Sequence, residues 1–307
     1  MPRITVLGGC GAIGSVAVRA LATGDYFSEV AIADKRIDLA GELARKVGPA
    51  RISVMEVDAD DPGSVKQTLA GSSVVLNCIG PFYKYGPPIL QAVIDLGIDY
   101  VDVCDDLDAT ENMLGLDQAA REAGVSAVIG MGNSPGLANI FARYCADLLL
   151  SQVDAVDIYH IHGGEAVEGA AVIKHRFHAM ESDIPVFLDG NYVRVRMLEE
   201  SGQALAEKTE FKNIGAYTVY PYPHPETITL PTLPSGPLGI LTICGLLCLG
   251  LLLLPFLFWV LTQMARMGIT FNPSGSGYRG PGIPFGGGRS GPSMRGGSGS
   301  GRSGRGN

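Results

Sequence analysis

Residues Ile4 to Gly14 read ITVLGGCGAIG, and this stretch constrains the chain more than any other. Four apolar or β-branched residues run into a tight glycine turn, and a helix-forming run, SVAVRALAT, follows at once. In that strand–turn–helix setting Gly9, Gly11 and Gly14 make a Gly-x-Gly-x-x-Gly pattern with a mechanism behind it. One glycine allows the tight turn, one lets the backbone approach a pyrophosphate, and one lets the helix pack closely on the strand. The helix then presents its free N–H groups and positive dipole end to the phosphates. A carboxylate is expected about twenty residues later, at the end of a second strand. Asp34 is there, closing EVAIAD. The pattern predicts dinucleotide binding, with NAD or NADP as cofactor.

The rest of the first 135 residues alternates strand and helix. Strands are expected at 4–7, 30–33, 52–57, 74–78, 100–103 and 127–129, and helices at 12–23, 37–47, 62–70, 87–96 and 108–123. The strands are short and apolar, as strands buried on both faces should be. Asp61-Pro62 and Pro87-Pro88 place prolines at helix starts. Strict alternation of this kind predicts an α/β fold, a Rossmann-type doubly wound parallel sheet over residues 1–135.

After Pro135-Gly136 the pattern changes. A helix at 137–149 is expected to lead to a strand in VDAVDIYHIHGG (residues 153–164). IPVFLDGNYVRVRM carries Asp189-Gly190-Asn191 between two strand-like runs, a hairpin signal. Residues 136–235 therefore read as a small α+β domain. Residues 238–261 follow without a single charge. As a helix these 24 residues would span about 36 Å, enough for a bilayer core of about 30 Å, with Pro255 placed to bend it. A hydrophobic membrane segment is expected over 238–264. The remainder, 268–307, is rich in Gly, Ser and Arg and is expected to be disordered.

Charge is split along the chain. The first 226 residues hold all 31 acids against 17 lysines and arginines, and only arginines follow. A globular part that acidic is not a nucleic-acid binder by its field. Small-molecule substrate, membrane lipid and a homodimer are the partners that fit. The six cysteines have neither CxxC nor metal spacing and read as small buried hydrophobes in a reducing compartment. With no signal peptide apparent, the catalytic domain is expected to face the cytoplasm.

The glycine turn, then NCIGPFYKYGPPILQAVIDLGIDYVDVCDD (Asn77 to Asp106), then GMGNSPGLANIFA (Gly130 to Ala142), resemble the saccharopine dehydrogenase-like oxidoreductases over roughly residues 3–230. The resemblance implies an N-terminal Rossmann domain, NAD(P)H, and hydride transfer at a carbon–nitrogen centre of an amino-acid-derived substrate. It also implies a longer second domain than the one here. The other reading is a non-catalytic dinucleotide-binding or scaffold protein with that domain cut short.

Gly9, Cys10, Gly11, Ala12, Ile13 and Gly14 are expected to cradle the pyrophosphate. Asp34 suits the ribose hydroxyls of NAD, while Lys35 and Arg36 suit the 2′-phosphate of NADP. Asp58 ends a strand where the adenine would lie. Asn77, Gly80 and Pro81 end another, along the path to the nicotinamide, because ligands of such sheets sit beyond the carboxyl ends of the strands. Among Asp102, Asp105 and Asp106, whose mutual repulsion suits proton transfer, Asp106 is the candidate catalytic acid, capping of the next helix being the alternative. His160, His162, His175 and His178 have no acid or cysteine completing a metal site by spacing, so no metal is expected.

Overall fold

A computed structural model describes residues 2–161 and 170–231. Six parallel strands form one sheet in the order β3-β2-β1-β4-β5-β6. They are β1 (Arg3–Leu7), β2 (Glu29–Asp34), β3 (Ile52–Glu56), β4 (Val74–Asn77), β5 (Asp99–Asp102) and β6 (Ala127–Val128). The connecting helices are α1 (Ala12–Thr23), α2 (Ile37–Val47), α3 (Pro62–Leu69), α4 (Phe82–Asp95), α5 (Leu107–Leu114) and α6 (Asp117–Ala123). The order reverses between β1 and β4, which makes the doubly wound topology with its ligand crevice at the switch point.

Alternation of side chains along the strands sends two sets of residues to opposite faces. Ile4, Val6, Val30 and Ile32 pack with Val18 and Leu21 of α1 and Ala40 and Leu43 of α2. Leu7, Ala33, Val75 and Tyr100 pack on the other face with Val65 and Leu69 of α3 and Ile89, Leu90 and Val93 of α4. Register aligns Ala33, Leu7, Asn77 and Asp102 as successive neighbours across the sheet. The strand ends that carry polar residues therefore lie in one row.

Several expected boundaries shift. The helix expected at 87–96 begins instead at Phe82, immediately after Pro81, and runs through Pro87 and Pro88. Prolines there forgo two ladder hydrogen bonds. Seven buried residues of α4, from Phe82 to Ile94, offset that loss. The helix expected at 108–123 is two helices, because the chain leaves helical geometry at Gly115-Leu116. Asp61 caps α3, accepting from the Gly63 N–H at 2.8 Å.

Beyond β6, α7 (Leu137–Tyr144) continues as a π-helical turn, Cys145–Leu149. The strand expected at 153–164 does not form over its described part, 153–161. Its apolar alternation is real, but among the described residues no partner edge takes up its backbone bonds, and a strand needs one. Then come α8 (Ala170–Glu181), β7 (Ile184–Leu188), β8 (Asn191–Val195), α9 (Glu200–Gln203), β9 (Glu207–Phe211), β10 (Gly215–Val219) and α10 (Glu226–Thr229). β7 and β8 form the expected antiparallel hairpin. Its two-residue turn puts Asp189 and Gly190 at positive φ, the geometry that matches strand twist. β9 and β10 form a second hairpin. Among the described residues no helix is long and apolar enough to cross a membrane. The apolar run 238–264 and the tail 268–307 lie outside the described residues.

A buried polar chain ties the carboxyl ends of the strands together. Asn77 Nδ2 donates to the Tyr100 hydroxyl at 3.1 Å, and that hydroxyl donates to Asp102 Oδ2 at 2.9 Å. Asp102 Oδ1 accepts from the N–H groups of Cys104 (3.0 Å) and Gly130 (2.7 Å). Asn77 Oδ1 accepts from Ile79 N–H at 2.9 Å. Burial pushes the Asp102 carboxyl up to about 6, against the pull of its backbone donors. Asp102→Ala leaves two buried N–H groups and a hydroxyl without an acceptor. The expected loss of stability is about 3 kcal/mol or more, read by urea unfolding. A loss below about 1 kcal/mol would show that solvent satisfies those donors and that the chain of bonds is not what holds the loops.

Candidate active site

The glycine turn is built for close approach. Gly8 takes φ +69°, and its N–H and that of Gly9 both reach Ala33 O on the neighbouring strand, at 2.8 and 3.3 Å. A Cβ on Gly14 would stand 2.2 Å from Gly8 O, so the first turn of α1 can rest on the loop only as glycine. Ala12 and Ile13 are exposed at the start of α1. The first N–H groups of that helix are the ones an anion would meet. This cradle, which side chains would fill, fits a dinucleotide pyrophosphate.

Asp34 is buried at the end of β2, and it acts on the loop as well as beside it. Its Oδ2 accepts from Cys10 N–H at 3.2 Å, and its Oδ1 accepts from Arg36 N–H at 3.0 Å. Arg36 Nε also reaches Oδ1, at 3.2 Å. Burial pushes the Asp34 carboxyl upward, but the hydrogen bonds from Cys10 and Arg36 outweigh it and hold it below the usual carboxylate value. Lys35 turns the other way and pairs with Asp58 at 2.9 Å. The structure thus brings Cys10, Asp34 and Arg36 together and ties Asp58 to Lys35. Both basic side chains are largely exposed, each held by one of these carboxylates.

Beyond β4, Gly80 and Pro81 lead into α4. A Cβ on Gly80 would meet Ala171 at 3.1 Å, so α8 crosses directly over this loop. That helix delivers His175 and His178 to the carboxyl edge of the sheet. Asp106 is almost fully buried there and does not cap α5 with its side chain. Its Oδ2 accepts from Tyr83 N–H at 2.9 Å, in the first turn of α4, where a helix favours negative charge. Its Oδ1 meets His175 Nδ1 at 2.6 Å. On the far side of that ring, Nε2 faces the Tyr222 hydroxyl at 3.2 Å. Asp105 stands 3.8 Å from His175 Nδ1, and burial raises its carboxyl. The ring of His178 stacks on Tyr83 with centroids 4.0 Å apart, and its Nε2 meets Asp108 at 2.9 Å.

For His175, burial works against the charged form, but the hydrogen bond to Asp106 and the charges of Asp105 and Asp106 prevail. Its pKa rises above the ordinary 6.5. The imidazolium therefore stabilises the fold fully below pH 6.5, and that contribution is lost as pH rises through the higher folded value. Tyr222 is pushed up to about 12 by burial and by Asp105, so it stays a neutral hydroxyl. Asp106–His175–Tyr222 can hold one proton and pass it outward.

Of the three aspartates, Asp102 is the fully committed staple described above, Asp105 flanks the histidine, and Asp106 joins His175 to the Tyr83 N–H. His175 is joined to its partners across 69 and 47 residues of chain, so no local spacing signals the relay. Tyr222 carries no motif at all. A second polar group lies beside the first. Ser134, in the Gly130–Gly136 loop, hydrogen-bonds His160 Nε2 at 3.0 Å and Glu226 Oε1, and Glu226 Oε2 bonds His224 Nδ1. Gly136 adopts φ +117° and lies against Gly132, where a Cβ would come within 2.3 Å of Gly132 O. That tight fold of the loop presents Ser134. Burial raises the Glu226 carboxyl, yet His224 and Ser134 hold it below its usual value.

The model of the saccharopine dehydrogenase NADP binding domain matches residues 4–128. The saccharopine dehydrogenase-like oxidoreductase of Rattus norvegicus is 27% identical over 123 residues, which are 38% of this chain and 29% of that one. A carboxynorspermidine synthase of Vibrio alginolyticus is 22% identical over 246 residues, 71% of this chain and 57% of that one. Apo saccharopine dehydrogenase (L-Glu forming) from Saccharomyces cerevisiae shares the fold with a TM-score of 0.50 at 17% identity, over 73% of this chain and 50% of that one. The chain thus spans less than two thirds of the length of each of these relatives.

These contacts set an expectation for cofactor choice. Replacing both Lys35 and Arg36 with alanine removes the cations that can meet a 2′-phosphate and leaves Asp34 to repel it. NADPH affinity, read by nucleotide fluorescence titration, should fall about tenfold while NADH changes little, because charge-assisted hydrogen bonds are lost for NADPH alone. Equal losses for the two cofactors would assign these side chains to the general field only.

Proposed function

We propose that this chain, which resembles the saccharopine dehydrogenase-like oxidoreductases and matches their NADP binding domain over residues 4–128, transfers hydride between NADP(H) and a carbon–nitrogen centre of an amino-acid-derived substrate. The observation that carries the proposal is the Asp106–His175–Tyr222 relay, set at the carboxyl edge of a sheet whose first turn fits a pyrophosphate. NADP(H) bound on that turn supplies or receives the hydride. Reduction of an imine leaves its nitrogen in need of a proton, and oxidation of an amine releases one. His175 holds that proton on an imidazole oriented by Asp106, and the Tyr222 hydroxyl extends the path one hydrogen bond further. Tyr83 N–H fixes Asp106 and so fixes the ring. The clustered acids Asp105 and Asp106 suit a substrate that carries a cationic amine.

The apolar run 238–261 supports a further element of the reading, a membrane anchor with the nucleotide domain on the cytoplasmic side. Alkaline extraction of membranes checks it. The chain should stay in the membrane pellet, and deletion of 238–261 should release it; a deletion variant that stays bound would refute the anchor.

Turnover of amino acids paired with aldehydes or 2-oxo acids, followed as NADPH consumption, tests the reaction. Within it, Asp106→Asn should move the alkaline limb of the kcat/KM profile for reduction down by about one pH unit, since the imidazolium loses its charged partner. His175→Gln should flatten that limb. A limb unmoved by either change would remove His175 as the proton carrier. Tight NADPH binding with no turnover across the panel would favour a dinucleotide-binding scaffold instead.

A further inference from the structure

We propose that His160, His224 and Glu226 form a binding site for a divalent cation of the zinc class, independent of the proton relay at His175. One ligand atom from each residue lies within 4.8 Å of the others. The donor set is two imidazoles and one carboxylate, the set of catalytic zinc sites that keep a fourth position open. In a tetrahedral zinc site, donors bound at about 2.0–2.2 Å stand about 3.4 Å apart, so the three side chains need only rotamer-scale movement to close.

The contacts among these groups are those of a site held together by protons. His224 Nδ1 and Glu226 Oε2 share one hydrogen bond, and the Ser134 hydroxyl bridges Glu226 Oε1 and His160 Nε2. A cation bound between these atoms balances the charge of the Glu226 carboxylate. The rings of His160 and His224 lie 5.2 Å apart and tilted by 34°, so they already converge rather than stack flat. Glu226 is 4% exposed, at the first position of α10. Ser134 is fixed by the tight glycine loop, and α7 is joined to α10 by Asn139 Nδ2 donating to Thr229 Oγ1 at 2.8 Å. Glu226 therefore comes from a segment that the fold already holds, and His160 reaches it from the 153–161 run through its bond to Ser134. Imidazole and carboxylate donors suit zinc above calcium or magnesium, which take oxygen ligands. The Ser134 hydroxyl lies between two of the donors, and the His224 ring lies 6.2 Å from that of Tyr222. A cation here borders the relay without using it, and it offers a counter-charge to a substrate carboxylate.

The test uses the full chain in mild detergent, stripped with a chelator and titrated with zinc chloride by calorimetry and with cobalt chloride by visible absorption. One zinc per chain is expected, with the absorption of tetrahedral cobalt. His160→Ala and Glu226→Gln should each weaken zinc at least tenfold, since even outer partners of a metal site cost 10- to 100-fold. His160 is exposed, so its variant keeps the fold even where a change at buried Glu226 does not; far-UV circular dichroism checks both. His175→Ala should leave zinc affinity unchanged. Zinc uptake no greater than that of the urea-unfolded chain overturns the proposal. So does affinity that survives both ligand variants, or that is lost in His175→Ala alone, which places the metal at Asp105, Asp106 and His175 instead. None of these outcomes depends on turnover, so the hydride-transfer reading stands or falls separately.

Discussion

The carboxylate of Asp102, buried at the end of β5, gathers the Tyr100 hydroxyl and the N–H groups of Cys104 and Gly130 on two oxygens. Through Tyr100 it reaches Asn77 on the next strand, and Asn77 in turn holds Ile79. Three loops that follow three strands are therefore fastened to one buried set of polar atoms. Those loops carry Gly80 and Pro81, Asp105 and Asp106, and Ser134. A buried polar network of this kind rigidifies when every member is satisfied and is costly when one is not. The price of burying Asp102 shows in its raised pKa, and the return is a site edge whose backbone has little freedom.

Upon that edge the second part of the chain adds what the sheet lacks. The sheet supplies acids and N–H groups but no histidine, and α8 brings His175 and His178 across Gly80. The segment 220–226 brings Tyr222, His224 and Glu226 from a different direction. Helix α4 contributes its amino-terminal N–H to Asp106, so the acid is held by a dipole on one side and a cation on the other. The same logic governs Asp34, which closes the glycine loop and is neutralised by Arg36. At both ends of the crevice a buried carboxylate meets a backbone donor and a basic side chain. Paired charges of this kind can be buried where lone ones cannot.

How much of this could be read from the chain depends on how local each signal is. The β1–turn–α1 unit, the row of strand ends and the Asp189-Gly190 hairpin rest on neighbouring residues, and the periodicity of the apolar residues exposes them. The start of α4 was harder, because Pro87-Pro88 is a start signal by local rules and a tolerated interruption once seven α4 residues are buried. The run 153–161 alternates like a strand, yet pairing is a property of the partner edge and not of the run itself. Among the acids, Asp102, Asp105 and Asp106 look alike in sequence and differ only in what reaches them from 28 and 69 residues away. Histidine partnership was the least legible feature, since His160 and His224 meet only through the fold.

The proposed hydride transfer requires the nicotinamide to meet the Asp106–His175–Tyr222 relay, and the structure of the NADPH complex tests that directly. The expected complex has the pyrophosphate on Gly9–Gly14 and the nicotinamide beside Asn77–Pro81, with its reactive carbon facing the side of the crevice where Tyr222 and His175 lie. A complex in which the nicotinamide points into solvent, or lies on the opposite side of the Asn77–Pro81 loop from His175, would contradict it.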